Sequence, residues 1–142
     1  MSLLGDVEAA IRNCDWGTAR RLADAKIVRH PNQARLHYYS GLSSLRLGDL
    51  ERSLDALRRS VALNDMDWEA GTALAQALDR LLRFEEALEV TQHFLKVKPS
   101  DPTLVHLHNG LLRNVPERIT EAWQKSVQLD WHEVELTNQD GK

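Results

Sequence analysis

One pattern of bulky and small side chains recurs in this sequence at a fixed interval of 34 residues. Residues 14–31, 48–65 and 82–99 align without gaps. A bulky residue opens each segment, a small residue follows, and an aliphatic residue comes later. The aligned sets are Trp16, Leu50 and Phe84, then Ala19, Ser53 and Ala87, then Ile27, Val61 and Leu95. A fixed period between about 20 and 50 residues is typical of stacked structural units.

The spacing inside each segment predicts a helix, because positions near i, i+3, i+7 and i+11 share one helical face. Pro31 and Pro99 close two of the segments. Proline has no N–H and keeps its predecessor out of helical geometry, so each of these helices should end there. Gly48 and Asp49 predict the turn before the middle segment, with Asp49 as the helix N-cap.

A second set of segments lies between these helices. Residues 34–47 and 68–81 are again 34 apart, and Gly41 aligns with Ala75. A glycine inside a helix costs about 1 kcal/mol relative to alanine, so Gly41 indicates close contact with a neighbouring helix. Each unit is therefore predicted to be two helices joined by a tight turn. About eight helices in antiparallel pairs, and no sheet, are expected.

The last unit departs from the strict period. Residues 105–113 resemble 36–44 at an offset of 69, with Gly110 in the place of Gly41, and residues 123–131 match 57–65 at an offset of 66. Pro116 is predicted to lie in the first turn of the last helix, with Asn114 as its cap.

Composition excludes several classes of function. The net charge of −3 and the pI of about 6.1 argue against a nucleic-acid partner. No apolar run approaches the length of a membrane span, so no membrane insertion is expected. The single cysteine, Cys14, permits no disulfide within the chain and suits a reducing compartment, which predicts a cytoplasmic location. His106 and His108 would point in different directions on a helix, so no metal site, cofactor or catalysis is predicted.

The 34-residue unit resembles the tetratricopeptide repeat (TPR) family over about residues 1–131. The small residues at the eighth position of each unit are Gly41, Ala75 and Gly110; those at the twentieth are Ala19, Ser53 and Ala87; Pro31 and Pro99 match the thirty-second. His37, Gly71 and His106 depart from the family, which often has tryptophan there. The resemblance implies an all-α, right-handed α-solenoid of about four helix-turn-helix units.

The resemblance also sets the expected boundaries. The units should lie at about 1–33, 34–67, 68–102 and 103–131, within a helical domain of residues 1–136 and before a flexible tail of residues 137–142. In the family, the first helix of each unit, helix A, lines an inner groove. The groove residues carried over are Leu4, Ile11, Arg12, Arg35, Tyr38, Leu42, Leu45, Arg46, Gln76, Arg80, Leu104, Leu107 and Leu111.

This set predicts an apolar groove with a few arginines, which suits an amphipathic helix or an extended peptide. Tyr38 and Leu42, flanked by Arg35 and Arg46, are predicted to anchor an apolar segment that carries acidic residues. Relatives that hold the acidic tails of chaperones use a set of lysines, asparagines and an arginine in the groove. At those positions this chain has Tyr38, Leu42, Ala73, Leu104 and His108, so that function does not carry over.

The leading interpretation is therefore a non-enzymatic interaction scaffold that binds a protein or peptide partner. Two alternatives stay open: a helical accessory fragment of a larger enzyme or secretion assembly, and a self-assembling structural module. Trp131 follows the last predicted helix with little sequence left to cover it. The C-terminal end is accordingly predicted to take part in self-association.

Overall fold

The computed structural model describes residues 3–115, which form seven α-helices and no strand. They are α1 (Gly5–Arg12), α2 (Trp16–Arg29), α3 (Ala34–Leu47), α4 (Leu50–Leu63), α5 (Trp68–Arg80), α6 (Phe84–Val97) and α7 (Pro102–Leu112). The predicted period is confirmed, because α2, α4 and α6 begin 34 residues apart and so do α3, α5 and α7. None of these helices combines the length and the hydropathy needed to cross a bilayer.

The odd-numbered helices form one layer, in which α1 contacts α3, α3 contacts α5 and α5 contacts α7. Each even-numbered helix packs between two members of that layer. Polar bridges also join successive even-numbered helices: Arg52 on α4 pairs with Asp24 on α2, and Arg58 on α4 pairs with Glu86 on α6 at 2.8 Å. The described chain is thus an all-helical array of two-helix units, as predicted.

The small residues that define the repeat lie where helices meet most closely. Ala19, Ser53 and Ala87 are each fully buried. A Cβ added to Gly41 would lie 2.6 Å from the Leu57 side chain and 3.2 Å from its backbone nitrogen, and the Ser53 hydroxyl donates a 2.8 Å hydrogen bond to the Gly41 carbonyl. Gly41 therefore admits α4 against α3, as its position in the sequence predicted.

Gly71 has a different neighbour. A Cβ at this position would lie 2.3 to 2.5 Å from the ring of Phe94, which projects from α6 and is 1% exposed. An aromatic ring from the second helix of the unit thus fills the space beside Gly71, one of the three positions where the TPR family often has tryptophan. The departure seen in the sequence is compensated within the same unit.

Each turn between the paired helices contains one residue with a positive φ. These residues are Cys14 (φ 55°), Gly48 (φ 85°) and Leu82 (φ 61°), again 34 apart. Glycine adopts this left-handed conformation without penalty, whereas other residues pay for contact between Cβ and the carbonyl oxygen. Asp49 follows as the N-cap residue of α4, but its carboxylate does not cap the helix, as predicted; it accepts from Arg20 at 3.4 Å instead.

This geometry makes a prediction about the turns. Leu82→Gly should raise the free energy of unfolding by about 0.5 kcal/mol, because relief of roughly 1 kcal/mol of backbone strain outweighs the greater freedom of glycine in the unfolded chain. Leu82 is 73% exposed, so little packing is lost. Gly48→Ala should lower the same quantity by about 1 kcal/mol. Urea denaturation measures both changes.

Gly17 supplies the control. It lies in α2, and no described atom comes within 4 Å of an added Cβ. Gly17→Ala should therefore stabilise the helix. A loss of stability at both Gly17 and Gly48 would show that the left-handed turn is not the cause.

Some predictions fall on residues outside 3–115. They are the position of Pro116 in a last helix, the remainder of the fourth unit to residue 131, the flexible tail at 137–142, and the role of Trp131. Gly110, predicted to match Gly41, has no described atom within 4 Å of an added Cβ.

Candidate peptide-binding groove

An open cavity of about 260 Å³ lies on the layer of odd-numbered helices. Helices α3 and α5 form its walls, and the start of α7 closes one end. Four of the predicted groove residues meet here, namely Tyr38, Leu42, Arg46 and Gln76. The full lining is Tyr38, Leu42, Arg46, Trp68, Glu69, Thr72, Ala73, Gln76, Asp101 and Thr103.

Tyr38 is a fixed wall of this cavity. Its side chain is 8% exposed, and the guanidinium carbon of Arg35 lies 4.4 Å from its ring centroid. Burial, followed by the nearby Glu69 carboxylate, raises the pKa of Tyr38 to about 12. Tyr38 therefore stays neutral, with most of its ring in the core and one edge towards the cavity.

Arg35 was predicted to line the groove, but its charge is consumed within the fold. It donates to Asp67 at 3.0 Å, to Glu69 at 3.3 Å and to the Tyr39 hydroxyl at 3.0 Å. The Tyr39 hydroxyl in turn donates to Glu8 on α1 at 2.7 Å. Burial alone would lower the pKa of Arg35, but the hydrogen bonds to Tyr39 and Asp67 outweigh it and raise that pKa above its usual value. Arg35 thus ties three units together.

Three other predicted arginines are exposed: Arg12, Arg46 and Arg80. The Arg46 guanidinium lies 5.9 Å from the ring centroid of Trp16, within the range of a cation–π contact. Arg80 donates to the Leu45 carbonyl at 3.1 Å. Among residues 3–115, none of the three forms an ion pair.

The prediction of groove-facing side chains is wrong for three leucines. Leu45, Leu104 and Leu111 are 0 to 1% exposed, so their side chains belong to the core between helices and offer no surface to a ligand. The remaining apolar members, Leu4, Ile11 and Leu107, are partly buried against the core.

Leu107 also lines a second cavity, of about 350 Å³, between α5 and α7. Its other polar neighbours include Asp79 and His106. Its distance along the array separates it from Tyr38 and Leu42, so the predicted groove residues fall into two clusters.

Sequence reasoning left three cavity residues out of the predicted set: Trp68, Asp101 and Thr103. Trp68 begins α5, and its ring lies 5.0 Å from the Lys98 ammonium. Asp101 caps α7 by accepting from the Leu104 N–H at 3.0 Å. The signal for all three was their place at helix N-termini that border the groove.

The histidines of α7 do not form a metal site with other described residues, since no group of three metal-ligating side chains occurs in residues 3–115. His108 is buried, with Nδ1 2.8 Å from the Thr91 hydroxyl. Thr91 donates its own proton to the Leu88 carbonyl at 3.0 Å, so His108 Nδ1 is the donor to Thr91. Burial lowers the pKa of His108, which favours the neutral ring.

No family model and no curated protein matches the sequence. Solved structures do match. The TPR domain of Arabidopsis OM64 superposes with a TM-score of 0.75 at 17% identity, over 80% of this chain and 93% of that one. The chain has the tetratricopeptide repeat fold.

Other TPR structures agree. The first TPR domain of Spaghetti (RPAP3), bound to the HSP90 peptide SRMEEVD, gives a TM-score of 0.73 at 16% identity over 78% of this chain and 90% of that one. MamA gives 0.76 at 17% identity over 96% of this chain and 79% of that one. In TPR terms, α1, α3, α5 and α7 are the A helices, and the cavity lies on the A-helix face.

Proposed function

We propose that this protein is a protein–protein interaction module that binds a peptide or helical segment on its A-helix face and has no catalytic role of its own. The observation that carries the proposal is the cavity between α3, α5 and α7. Tyr38, Leu42, Trp68 and Ala73 supply apolar surface, and Arg46 and Gln76 supply polar groups at its edge. An apolar recess with a few placed polar groups is the usual form of a recognition site.

The ligand of the chaperone-binding neighbours is not part of this proposal. At the positions of their basic set this chain has Leu104 and His108, both buried, and Tyr38, which is nearly so. His108 is occupied with Thr91. The side chains that would bind a terminal carboxylate there are absent from the described groove.

We also infer a cytoplasmic location, supported by the single, exposed thiol of Cys14. A protein partner rather than nucleic acid is supported by the net charge of −3. Four units at about 1–33, 34–67, 68–102 and 103–131 are supported by the helix starts as far as α7. Self-association through the C-terminal end remains a proposal based on Trp131.

Filling the cavity tests the proposed function. Thr103 is exposed at the start of α7 and lines the cavity, so Thr103→Trp should occupy the recess without disturbing the core. Affinity capture from a lysate of the source organism, read by quantitative mass spectrometry, should show partners retained by the wild type and lost by this variant. Melting temperatures should stay within a few degrees, since surface substitutions usually change stability by less than about 0.5 kcal/mol.

The matched control is Ala62→Trp. Ala62 is exposed on α4, away from the A-helix face. It adds the same ring elsewhere and should retain the wild-type partners. If the Thr103→Trp and wild-type proteins capture the same set, the cavity is not the binding site and the proposal fails.

A further inference from the structure

The exposed arginines of the A helices form a row with the period of the repeat. Arg12, Arg46 and Arg80 are 34 residues apart, and each lies in the last turn of its helix. Because α1, α3 and α5 lie side by side, residues at equivalent positions are brought to the same edge of the A-helix face. We call these three residues the arginine row.

A helix C-terminus attracts a cation, which gives each arginine a structural reason to be there. That role leaves most of their hydrogen-bonding capacity unused. A guanidinium has five N–H donors. Arg80 uses one described bond, to the Leu45 carbonyl, and no described residue accepts a hydrogen bond from Arg12 or Arg46. Stacking on Trp16 holds the Arg46 plane without using its N–H groups.

The acids at the same edge are already engaged. Asp15 accepts from the Thr18 N–H at the start of α2, and Asp49 pairs with Arg20 at 3.4 Å. Asp79, the neighbour of Arg80 in sequence, lines the separate cavity between α5 and α7. The row therefore presents positive charge that the described part of the fold does not neutralise.

The opposite edge, at the N-termini of α3, α5 and α7, differs. Its acids, Asp67 and Glu69, are paired with Arg35, and Asp101 caps α7. Charge across the A-helix face is thus asymmetric, with internally satisfied acids along one edge and open arginines along the other. The cavity with Leu42 lies between these edges, and Arg46 belongs to both the cavity and the row.

We propose that the arginine row binds the carboxylates of an extended acidic peptide that runs across the A helices, with one acidic side chain for each repeat. The proposal rests on the proposed function and names the chemistry of its partner. An apolar side chain of the same peptide would enter the cavity beside Arg46. The arginines supply bidentate recognition of each carboxylate, which a lysine would not.

The pitch of the row selects the peptide. Packed helices lie about 8–10 Å apart, so neighbouring arginines repeat at about that distance. An extended chain advances about 3.3 Å per residue, so acidic residues at every third position match the row. A helix 10 Å across occupies roughly 420 Å³ per 5.4 Å turn. The cavity of about 260 Å³ is smaller, which favours an extended ligand.

The test is fluorescence anisotropy with the full chain and a labelled peptide that has glutamate at every third position and valine, threonine or proline between. The variant replaces Arg12, Arg46 and Arg80 by glutamine. The matched control replaces Arg21, Arg29 and Arg59, which are exposed on α2 and α4, and so makes the same change in net charge. The row variant should bind about tenfold more weakly, because three exposed ion pairs of modest strength together amount to roughly that factor. The difference should shrink at high salt.

Three results would overturn the proposal. The control variant could weaken binding as much as the row variant, or a peptide of the same composition with its glutamates consecutive could bind as tightly. Self-association that the row variant abolishes, measured by light scattering, would make a second copy of the chain the occupant.

Lysate capture separates this proposal from the proposed function. Partners lost with Thr103→Trp but kept by the row variant would leave the proposed function standing without an acidic ligand. Partners kept by both variants would remove both proposals.

Discussion

Phe94→Ala should lower the free energy of unfolding by about 3–5 kcal/mol, the usual cost of removing a buried aromatic ring. Phe94 is 1% exposed and fills the space that Gly71 leaves on α5. Without the ring, neither helix has a side chain to occupy that space, so a cavity adds to the loss of buried apolar surface. Urea denaturation, followed by circular dichroism, measures the change.

A double-mutant cycle tests the contact itself. Gly71→Ala alone should cost about 1–3 kcal/mol, because its Cβ would overlap a ring that close packing holds in place. In the Phe94→Leu background the same substitution should cost less, since the smaller side chain can move aside. Strict additivity of the two changes would show that Gly71 and Phe94 do not depend on each other.

The second large effect concerns Arg35. Arg35→Leu should lower the free energy of unfolding by about 2–3 kcal/mol, because it leaves Asp67 buried without its ion-pair partner. The full cost of breaking a buried pair is discounted here, since Arg35 is partly exposed. Asp67 is nearly inaccessible, with 8% of its side chain exposed. Arg35→Lys should recover little of the loss, because an ammonium cannot stack on Tyr38 and bond to Asp67, Glu69 and Tyr39 together.

Arg46→Leu is the control for this prediction. Arg46 occupies the last turn of the same helix but pairs with no described acid, so its loss should cost under about 0.5 kcal/mol. Thermal and urea denaturation should therefore distinguish a structural arginine from a ligand-binding one. Equal costs at Arg35 and Arg46 would refute the distinction.

The sequence predicted the helices well because a helix boundary depends on local chemistry that the repeat displays three times. The first residues of α2, α4 and α6 coincide with the aligned Trp16, Leu50 and Phe84. The pairing of helices followed from the same period. These features need no knowledge of which residues face one another across the array.

The groove was harder to predict because it depends on contacts between units. Leu45, Leu104 and Leu111 have the right position within their helices, yet neighbouring A helices approach closely enough to bury them. Arg35 shows a missed signal. Its partners Asp67 and Glu69 lie 32 and 34 residues along the chain, about one repeat away, so the opposite charges were visible as a link between units.

The turns show a different limit. Cys14 and Leu82 are not residues that favour a left-handed backbone, so composition alone did not reveal their conformation. Their alignment with Gly48 could have done so. The repeat imposes the backbone path, and two of the three side chains accept the strain.

The contacts in residues 3–115 are local, and this has a consequence for how the molecule comes apart. Each helix touches helices no more than two places away along the chain, and the ion pairs and side-chain hydrogen bonds described above span at most 35 residues. Short sequence separation favours rapid folding. It also makes resistance to amide exchange a graded property, so the eight-residue α1 should open and close on its own while α3 to α5 remain intact. Such an array can loosen at one end without losing the cavity in its middle.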